Sequence, residues 1–368
     1  MCAGFLENDK VFMEMNDSFF IDNFQIGTNH KPFIIAEMSG NHNQSLDRAM
    51  AIVKAAKDAG AHALKLQTYT ADSITINHRG GLFEIDDPKS LWYGKNLYEL
   101  YQEAMTPYEW HKPIFEYAKE LGIICFSTPF DEHAVDMLED LGAPCHKIAS
   151  FENIHHPLLK KVARTGKPVI ISSGASTLAD IDESINILRE NGNKDLVLLK
   201  CTSNYPATPE NTNLRTIPHM KEMFKCQVGL SDHTMGIGAA VGAVVLGARV
   251  IEKHFCLSRA EGGVDSAFSL EPEEFKSLVI ETERAFQALG QVEYGVQESE
   301  KKSLSYKRSI YVVKDIQKGE AFTPENIRVI RPGNGLHPRY FEQLLGTKAT
   351  NNMTKGTPLS FNGPLQQL

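Results

Sequence analysis

The sequence predicts a (β/α)8 barrel followed by a small β-rich domain, and three observations carry that prediction. From Pro32 onward, short apolar runs alternate with amphipathic stretches, several of which stop on a glycine, and eight such units fit before Gln291. The runs are short and mostly apolar, which fits a parallel sheet buried on both faces, and most start roughly 20 to 30 residues apart, which suits a barrel of about 250 residues. After Gln291 the rhythm ends and short β-like pieces between glycine-containing turns replace it. An open doubly wound sheet is the rival architecture, but no G-x-G-x-x-G turn follows the first run.

Taken in order, residues 1–18 show no period and read as a loose tail or an alternative start. Residues 19–26 read as a small hairpin, so 1–31 form a tail and hairpin ahead of a barrel domain at 32–290. The expected strands are 32–38, 63–69, 123–129, 145–150, 168–174, 196–202, 227–234 and 249–256. The expected helices are 46–59, 108–121, 132–141, 157–164, 177–190, 214–224, 236–247 and 272–289, with Gly60, Gly122, Gly142, Gly166 and Gly192 as stops. The small-residue stretch 236–247 is long enough for a crossover helix, which makes the strands either side of it parallel neighbours. One long interruption, 71–106, holds Trp92, Tyr93, Tyr98 and Tyr101; it is either an ordered loop over the mouth or a surface excursion with its own aromatic cluster. Residues 291–305 read as a charged linker. Within 306–368 the pieces 309–313, 316–320, 327–330 and 344–349 read as short strands.

Composition narrows the function. The chain has 368 residues, 42% of them apolar and 23% charged, as in an ordinary globular protein. Its longest apolar run, 239–246, is far too short to span a bilayer, and the acidic start (Glu7, Asp9, Glu14, Asp17 against Lys10) is wrong for a signal peptide. The expectation is a cytoplasmic protein without a membrane partner. Six cysteines with no C-x-x-C spacing suit reduced core thiols, and a net charge of -8 disfavours nucleic acid.

Every strand delivers polar residues to its C-terminal end, where a parallel barrel builds its site. Alternation places Lys65 with Gln67, Ser231 with His233, and Glu252 with His254 on common sides, and because Leu64 and Leu66 face the helices, Lys65 and Gln67 point inward. A buried lysine needs an anion or a carboxylate. Lys65 and Lys147 with Ser150, Ser172, Ser203 and Ser231 suit a phosphate and a carboxylate. His233 and His254, from adjacent strands, either share a divalent cation such as Mn²⁺ or Mg²⁺ with partly open coordination or are hydrogen-bonded core histidines. Glu37 and Glu152 are carboxylates near the same opening, able to orient a hydroxyl, accept a proton or hold a lysine. Lys200 and Lys253 each read more readily as structural lysines.

Several of these segments form a recognisable series: Ile35-Ala-Glu-Met-Ser-Gly-Asn-His42, Lys65-Leu-Gln67, Ser127-Thr-Pro-Phe130, Lys147-Ile-Ala-Ser-Phe-Glu152, Cys201-Thr-Ser-Asn-Tyr-Pro206, Gly229-Leu-Ser-Asp-His233 and Glu252-Lys-His254. In this order they resemble the motifs of the sialic acid synthase family, and Arg331-Pro-Gly-Asn-Gly335 is similar to that family's C-terminal, antifreeze-like (SAF) domain. The resemblance implies a metal-dependent transferase that condenses phosphoenolpyruvate with an N-acetylated amino sugar, in a homodimer whose C-terminal domains each cover the partner's active site. It further implies that Lys65, Lys147, Ser150, Ser172 and Ser231 hold the phosphoenolpyruvate anion, with Ser203 standing where many members carry asparagine. His233 and His254 would hold the metal, Gln67, Tyr205 and Asp265 would surround the sugar, Glu37 and Glu152 would lie near the reacting carbons, and Arg331 would arrive from the other subunit. Leu91-Trp-Tyr-Gly-Lys-Asn-Leu-Tyr-Glu-Leu-Tyr101 and Gly262-Gly-Val-Asp-Ser-Ala-Phe-Ser-Leu-Glu-Pro272 look like the branch that makes pseudaminic acid from 2,4-diacetamido-2,4,6-trideoxy-L-altrose. The alternatives are synthesis of N-acetylneuraminate or legionaminate from N-acetylmannosamine or its 2,4-diacetamido analogue and, from another class, a carbohydrate-binding barrel without turnover.

Overall fold

A computed structural model describes residues 16–361. The chain divides into two units, Met1–Gly290 and Gln291–Leu368. The expected tail falls mostly outside the described residues, as does Cys2.

The first unit opens with an antiparallel hairpin, β1 (Ser18–Ile21) and β2 (Phe24–Gly27), turning at Asp22 with φ 51°. Eight parallel strands then close into a barrel: β3 (Phe33–Glu37), β4 (Ala63–Thr68), β5 (Ile124–Pro129), β6 (His146–Ile148), β7 (Val169–Ser172), β8 (Leu196–Cys201), β9 (Gln227–Asp232) and β10 (Val250–His254), which pairs back onto β3. Between them run α1 (Leu46–Asp58), α2 (Ala71–Ile74), α3 (Leu97–Ala104), α4 (Tyr108–Leu121), α5 (Glu132–Asp140), α6 (His156–Ala163), α7 (Leu178–Glu190), α8 (Pro209–Thr212), α9 (Thr216–Phe224) and α10 (Gly238–Val245), with α11 (Pro272–Ala288) closing the unit. Side chains open the helices as the sequence demands: Ser45, Asp131 and Thr177 accept from the backbone N–H groups of Arg48, Ala134 and Asp180. Among the described residues no helix is long and apolar enough to cross a membrane.

Two apolar layers follow from strand alternation. Outward residues such as Ile34, Leu64, Leu66, Ile148 and Ile251 pack with the helices. Inward residues form a second cluster, Phe33, Ile35, Ala63, Phe126, Ile170, Val197 and Val250, which the hairpin's Phe19, Ile21 and Ile26 join. The hairpin therefore plugs the end of the barrel where the strands begin, which leaves the opposite end for a site.

In the second unit β11 (Ser309–Val312) pairs antiparallel with β12 (Ile327–Ile330) over a core that includes Ile310, Phe322, Leu336 and Leu344. Two expected strands are corrected. Within 316–320 and 344–349 the pairing is limited to isolated bridges, Ile316 with Met353 and Ala321 with Lys348. Gly319 and Gly346, at φ 87° and 81°, turn the chain before a ladder can grow, and a helical turn, Phe341–Leu344, takes up the first residue of the second piece. The expected charged linker holds a 3-10 helix at Glu298–Tyr306, opened by a reciprocal cap between Gln297 and Glu300.

Candidate active site

Each strand's inward face changes from apolar to polar near the same level. On β3 the sequence Phe33, Ile35 ends in Glu37; on β4 Ala63 gives way to Lys65 and Gln67; on β10 Val250 gives way to Glu252 and His254. Sheet register places these residues side by side, with His254 opposite Glu37 and Glu37 opposite Lys65. The result is a charged layer on an apolar floor. Lys65 Nζ lies 2.5 Å from Glu37 Oε2 and 3.7 Å from Glu252 Oε1, and donates to Thr128 Oγ1 at 3.1 Å. Lys147 Nζ donates to Ser172 Oγ at 2.7 Å and lies 3.8 Å from Glu252, while Ser231 Oγ donates to the same carboxylate at 3.3 Å. Gln67 donates to Glu37 Oε1 at 2.9 Å.

Beside Lys147 two serine hydroxyls press against the Gly174 backbone. Ser150 Oγ accepts from the Gly174 N–H at 3.1 Å, and a Cβ at Gly174 would collide with both Ser150 Oγ and Ser203 Oγ. Hydroxyls thus converge where a lysine already supplies positive charge, and the Gly174 N–H orients one of them, an arrangement suited to phosphate.

His233 and His254 face each other with ring centroids 5.2 Å apart. His233 Nδ1 donates to the Thr202 carbonyl at 2.9 Å, and although burial pulls the imidazole down, Cys201 and that carbonyl together raise it above its ordinary value. His254 Nδ1 is buried without a hydrogen-bond partner among the described residues, with Asp265 Oδ2 at 4.0 Å. Burial, with His233, Lys65 and Lys253 nearby, holds His254 well below the ordinary imidazole range, so it is neutral. Two neutral or neutralisable imidazoles with a buried orphan nitrogen fit a divalent cation. Among the described residues no group of three or more His, Cys, Asp or Glu side chains has metal-holding geometry, so the protein would supply only part of the coordination shell and substrate or water the rest.

Above this layer lies a cavity of about 420 Å³ lined by Gln67, Glu152, Tyr205, His254, Asp265 and, from the 71–106 interruption, Trp92. The interruption covers the mouth: Trp92 Nε1 donates to the Val264 carbonyl at 3.0 Å and its ring sits 5.8 Å from Tyr205. Asp265 is held by the Ser39 hydroxyl.

Burial shapes the charges. It raises the Glu37 carboxyl to about 7, against Lys65 and with help from Glu252. It raises Glu152 to about 7, against Lys147. Burial also pushes Asp265 up, with Ser39 and His233 pulling back. Lys147 is lowered by burial, with Glu252 opposing. For Lys65, and conversely for Glu252, the burial penalty is overcome by the opposite charges facing them, which keeps that pair ionised.

The structure brings Glu37, Lys65, Gln67, Lys147, Ser150, Glu152, Ser172, Ser203, Tyr205, Ser231, His233, His254 and Asp265 to one end of one barrel. Arg331 is exposed in the second unit. Lys253 turns outward and forms a fully buried pair with Asp232 at 2.7 Å, and Lys200 donates to the Cys201 carbonyl at 2.8 Å. The residue the sequence reading left without a role is Glu252, which bridges Lys65, Lys147 and Ser231; its placement two residues before His254 was the available signal.

A closed barrel with such a mouth has the chemistry to hold a small anion beside a polar second molecule. Comparison with known proteins agrees. Residues 52–294 match the NeuB family and residues 307–363 match the SAF domain. A pseudaminic acid synthase of Campylobacter jejuni is 46% identical over 92% of this chain and 98% of its own, and one of Helicobacter pylori is 44% identical over 89% and 96%. An N,N'-diacetyllegionaminic acid synthase of C. jejuni is 37% identical over 88% and 97%. Among solved structures, the sialic acid synthetase of Leptospira borgpetersenii in complex with citrate aligns with TM-score 0.70 at 32% identity, covering 80% of this chain and 97% of that one. The chain belongs to the NeuB family, the sialic acid synthases, with a SAF domain after its barrel.

Proposed function

We propose that this chain is a pseudaminic acid synthase, which condenses phosphoenolpyruvate with 2,4-diacetamido-2,4,6-trideoxy-L-altrose to give pseudaminic acid and phosphate. The observation that carries this reading is the meeting of two deep lysines, a hydroxyl-lined cradle and two imidazoles at one mouth, in a chain 46% identical to a pseudaminic acid synthase.

Lys147 and Ser172, with Ser203 and with Ser150 oriented by the Gly174 N–H, hold the donor's phosphate, while Lys65 and Ser231 face its carboxylate. Glu252, between the two lysines, offsets their mutual repulsion and holds both at the same level of the barrel. Gln67, Tyr205 and Asp265 position the sugar so that its aldehyde carbon lies against the donor's C3, and the new C–C bond forms there. A divalent cation on His233 and His254, Mn²⁺ or Mg²⁺, supplies Lewis acidity at the aldehyde oxygen when bound. Positive character at donor C2 is quenched by water, and the tetrahedral centre expels phosphate by C–O cleavage. Glu37 is committed to Lys65 and Gln67, whereas Glu152 keeps a free oxygen at the cavity wall, so Glu152 is the better placed acceptor for the water's proton. The family likeness also supports a cytoplasmic homodimer in which Arg331 of the partner subunit meets the sugar's N-acyl group.

Incubation with Mn²⁺, phosphoenolpyruvate labelled with ¹⁸O at its bridging oxygen, and each of the three candidate sugars tests the reading. The expected result is a product of pseudaminic acid mass with the altrose derivative, with the label in the released phosphate. Preferred turnover of N-acetylmannosamine, or label retained in the sugar acid, would overturn it.

A further inference from the structure

The 71–106 interruption has no counterpart between the other strands of the barrel, and it is built rather than loose. Ile85 exchanges backbone hydrogen bonds with Lys95 and Gly94 at 3.0 and 2.8 Å, and the buried Asn96 side chain ties the carbonyls of His78 and Phe83 at 2.7 and 3.1 Å. Trp92 pins the segment to the loop after β10 through the Val264 carbonyl. The residues it turns toward the cavity are apolar or aromatic, with Ile74, Ile85, Trp92 and Leu97 all half-buried. The charged and hydrogen-bonding groups of the lining, Gln67, Glu152, His254 and Asp265 among them, come from the barrel, where they stand beside Tyr69, Phe130, Phe151 and Tyr205.

A cavity whose charged groups all come from the barrel, and which meets only apolar and aromatic side chains on the interruption, orients its occupant. With the aldehyde end held against the imidazoles, the far end of an open-chain sugar extends toward the interruption. We propose that this segment is the specificity element of the enzyme, and that Ile74, Ile85, Trp92 and Leu97 form a pocket for the terminal methyl group of a 6-deoxy sugar. The inference rests on the function proposed above and adds to it the residues that select the substrate. A hydroxymethyl group in the same place would lose its water and gain no partner from these four side chains beyond the indole N–H, which is already committed to Val264. Discrimination by a hydrophobic pocket against one added hydroxyl is limited, about 10- to 100-fold in kcat/KM.

The test compares two acceptors that differ only at C6, 2,4-diacetamido-2,4,6-trideoxy-L-altrose and its 6-hydroxy counterpart, in the full-length enzyme with Mn²⁺. Wild type should favour the 6-deoxy sugar by roughly 10-fold or more. Ile85→Ser and Trp92→Ala should each bring the ratio toward one while leaving the KM for phosphoenolpyruvate within about twofold; Ile85→Ser guards against a folding defect in the tryptophan variant. A wild type without preference, or variants that slow both sugars equally, would overturn the pocket assignment alone. Turnover of N-acetylmannosamine with neither altrose derivative accepted would instead overturn the substrate reading on which it rests.

Discussion

Glu152 Oε2 is buried with no hydrogen-bond partner among the described residues, and its carboxyl stands near 7 because burial outweighs the attraction of Lys147. An acid poised at neutrality with a free oxygen is suited to exchanging a proton during turnover. Glu152→Gln should therefore lower kcat by about 100-fold or more with little change in the KM for phosphoenolpyruvate. The ionised form is the acceptor, so wild-type kcat should rise as pH increases through 7, and the variant should lose that limb; a stopped or continuous phosphate assay across pH 5.5–8.5 reads both. His254 differs because burial keeps its imidazole neutral and its Nδ1 unpartnered, which leaves a lone pair for a cation. Excess chelator should abolish condensation and added Mn²⁺ should restore it in wild type but not in His254→Ala; full turnover in chelator would remove the metal from the proposal.

Strand β10 shows what alternation decides and what it hides. Glu252 and His254 point into the mouth, and Lys253 between them points outward to Asp232, with both side chains fully buried. Removing one partner leaves a buried charge, which costs about 3–5 kcal/mol. Lys253→Met should accordingly lower the denaturation midpoint while kcat per folded molecule stays close to wild type; a selective loss of kcat would place Lys253 in the chemistry. Most barrel strands were legible because they carry a dense apolar run, with His146–Ile148 placed by the helices either side of it, and the inward direction of Lys65 followed from Leu64 and Leu66 alone. What alternation could not supply was the partner of each charge: Glu252 between Lys65 and Lys147 depends on the curvature of a closed sheet, which brings β4, β6 and β10 across from one another. The helices α2, α3 and α8 were also hidden: α2 and α8 are single turns with no period to show, and α3 lies inside a stretch read as one long loop. In the second unit, glycine turns cut the 316–320 and 344–349 pieces to single bridges, a tertiary outcome that local composition does not register.

Across the whole barrel, the buried His42 and His111 and the half-buried His62 are lowered to about 4, loss of water around the ring being the leading cause in each. His62 Nδ1 accepts from the Ile34 N–H at 2.9 Å and His42 Nδ1 from the Gln44 N–H at 3.2 Å, roles that only an unprotonated ring nitrogen can fill. Their folded-state values lie below those of the unfolded chain. The stability they contribute is thus complete above about pH 6.5 and is lost as pH falls toward 4, up to about 3 kcal/mol for each. Urea midpoints measured at pH 7.5, 5.5 and 4.5 should fall in that order, and a midpoint indifferent to pH would contradict the burial of these rings.

The hairpin of β1 and β2 makes the barrel a blind-ended vessel. Its contents must come and go through a single doorway, and the lysines that would grip the enolpyruvyl donor lie nearer the floor than the chamber that would take the sugar. A guest seated in the upper chamber bars the way below, so the donor has to enter first and its phosphate remnant can leave only after the sugar acid. Steady-state inhibition should show that queue: a non-reactive sugar analogue acting uncompetitively against phosphoenolpyruvate, and a donor analogue acting competitively against it.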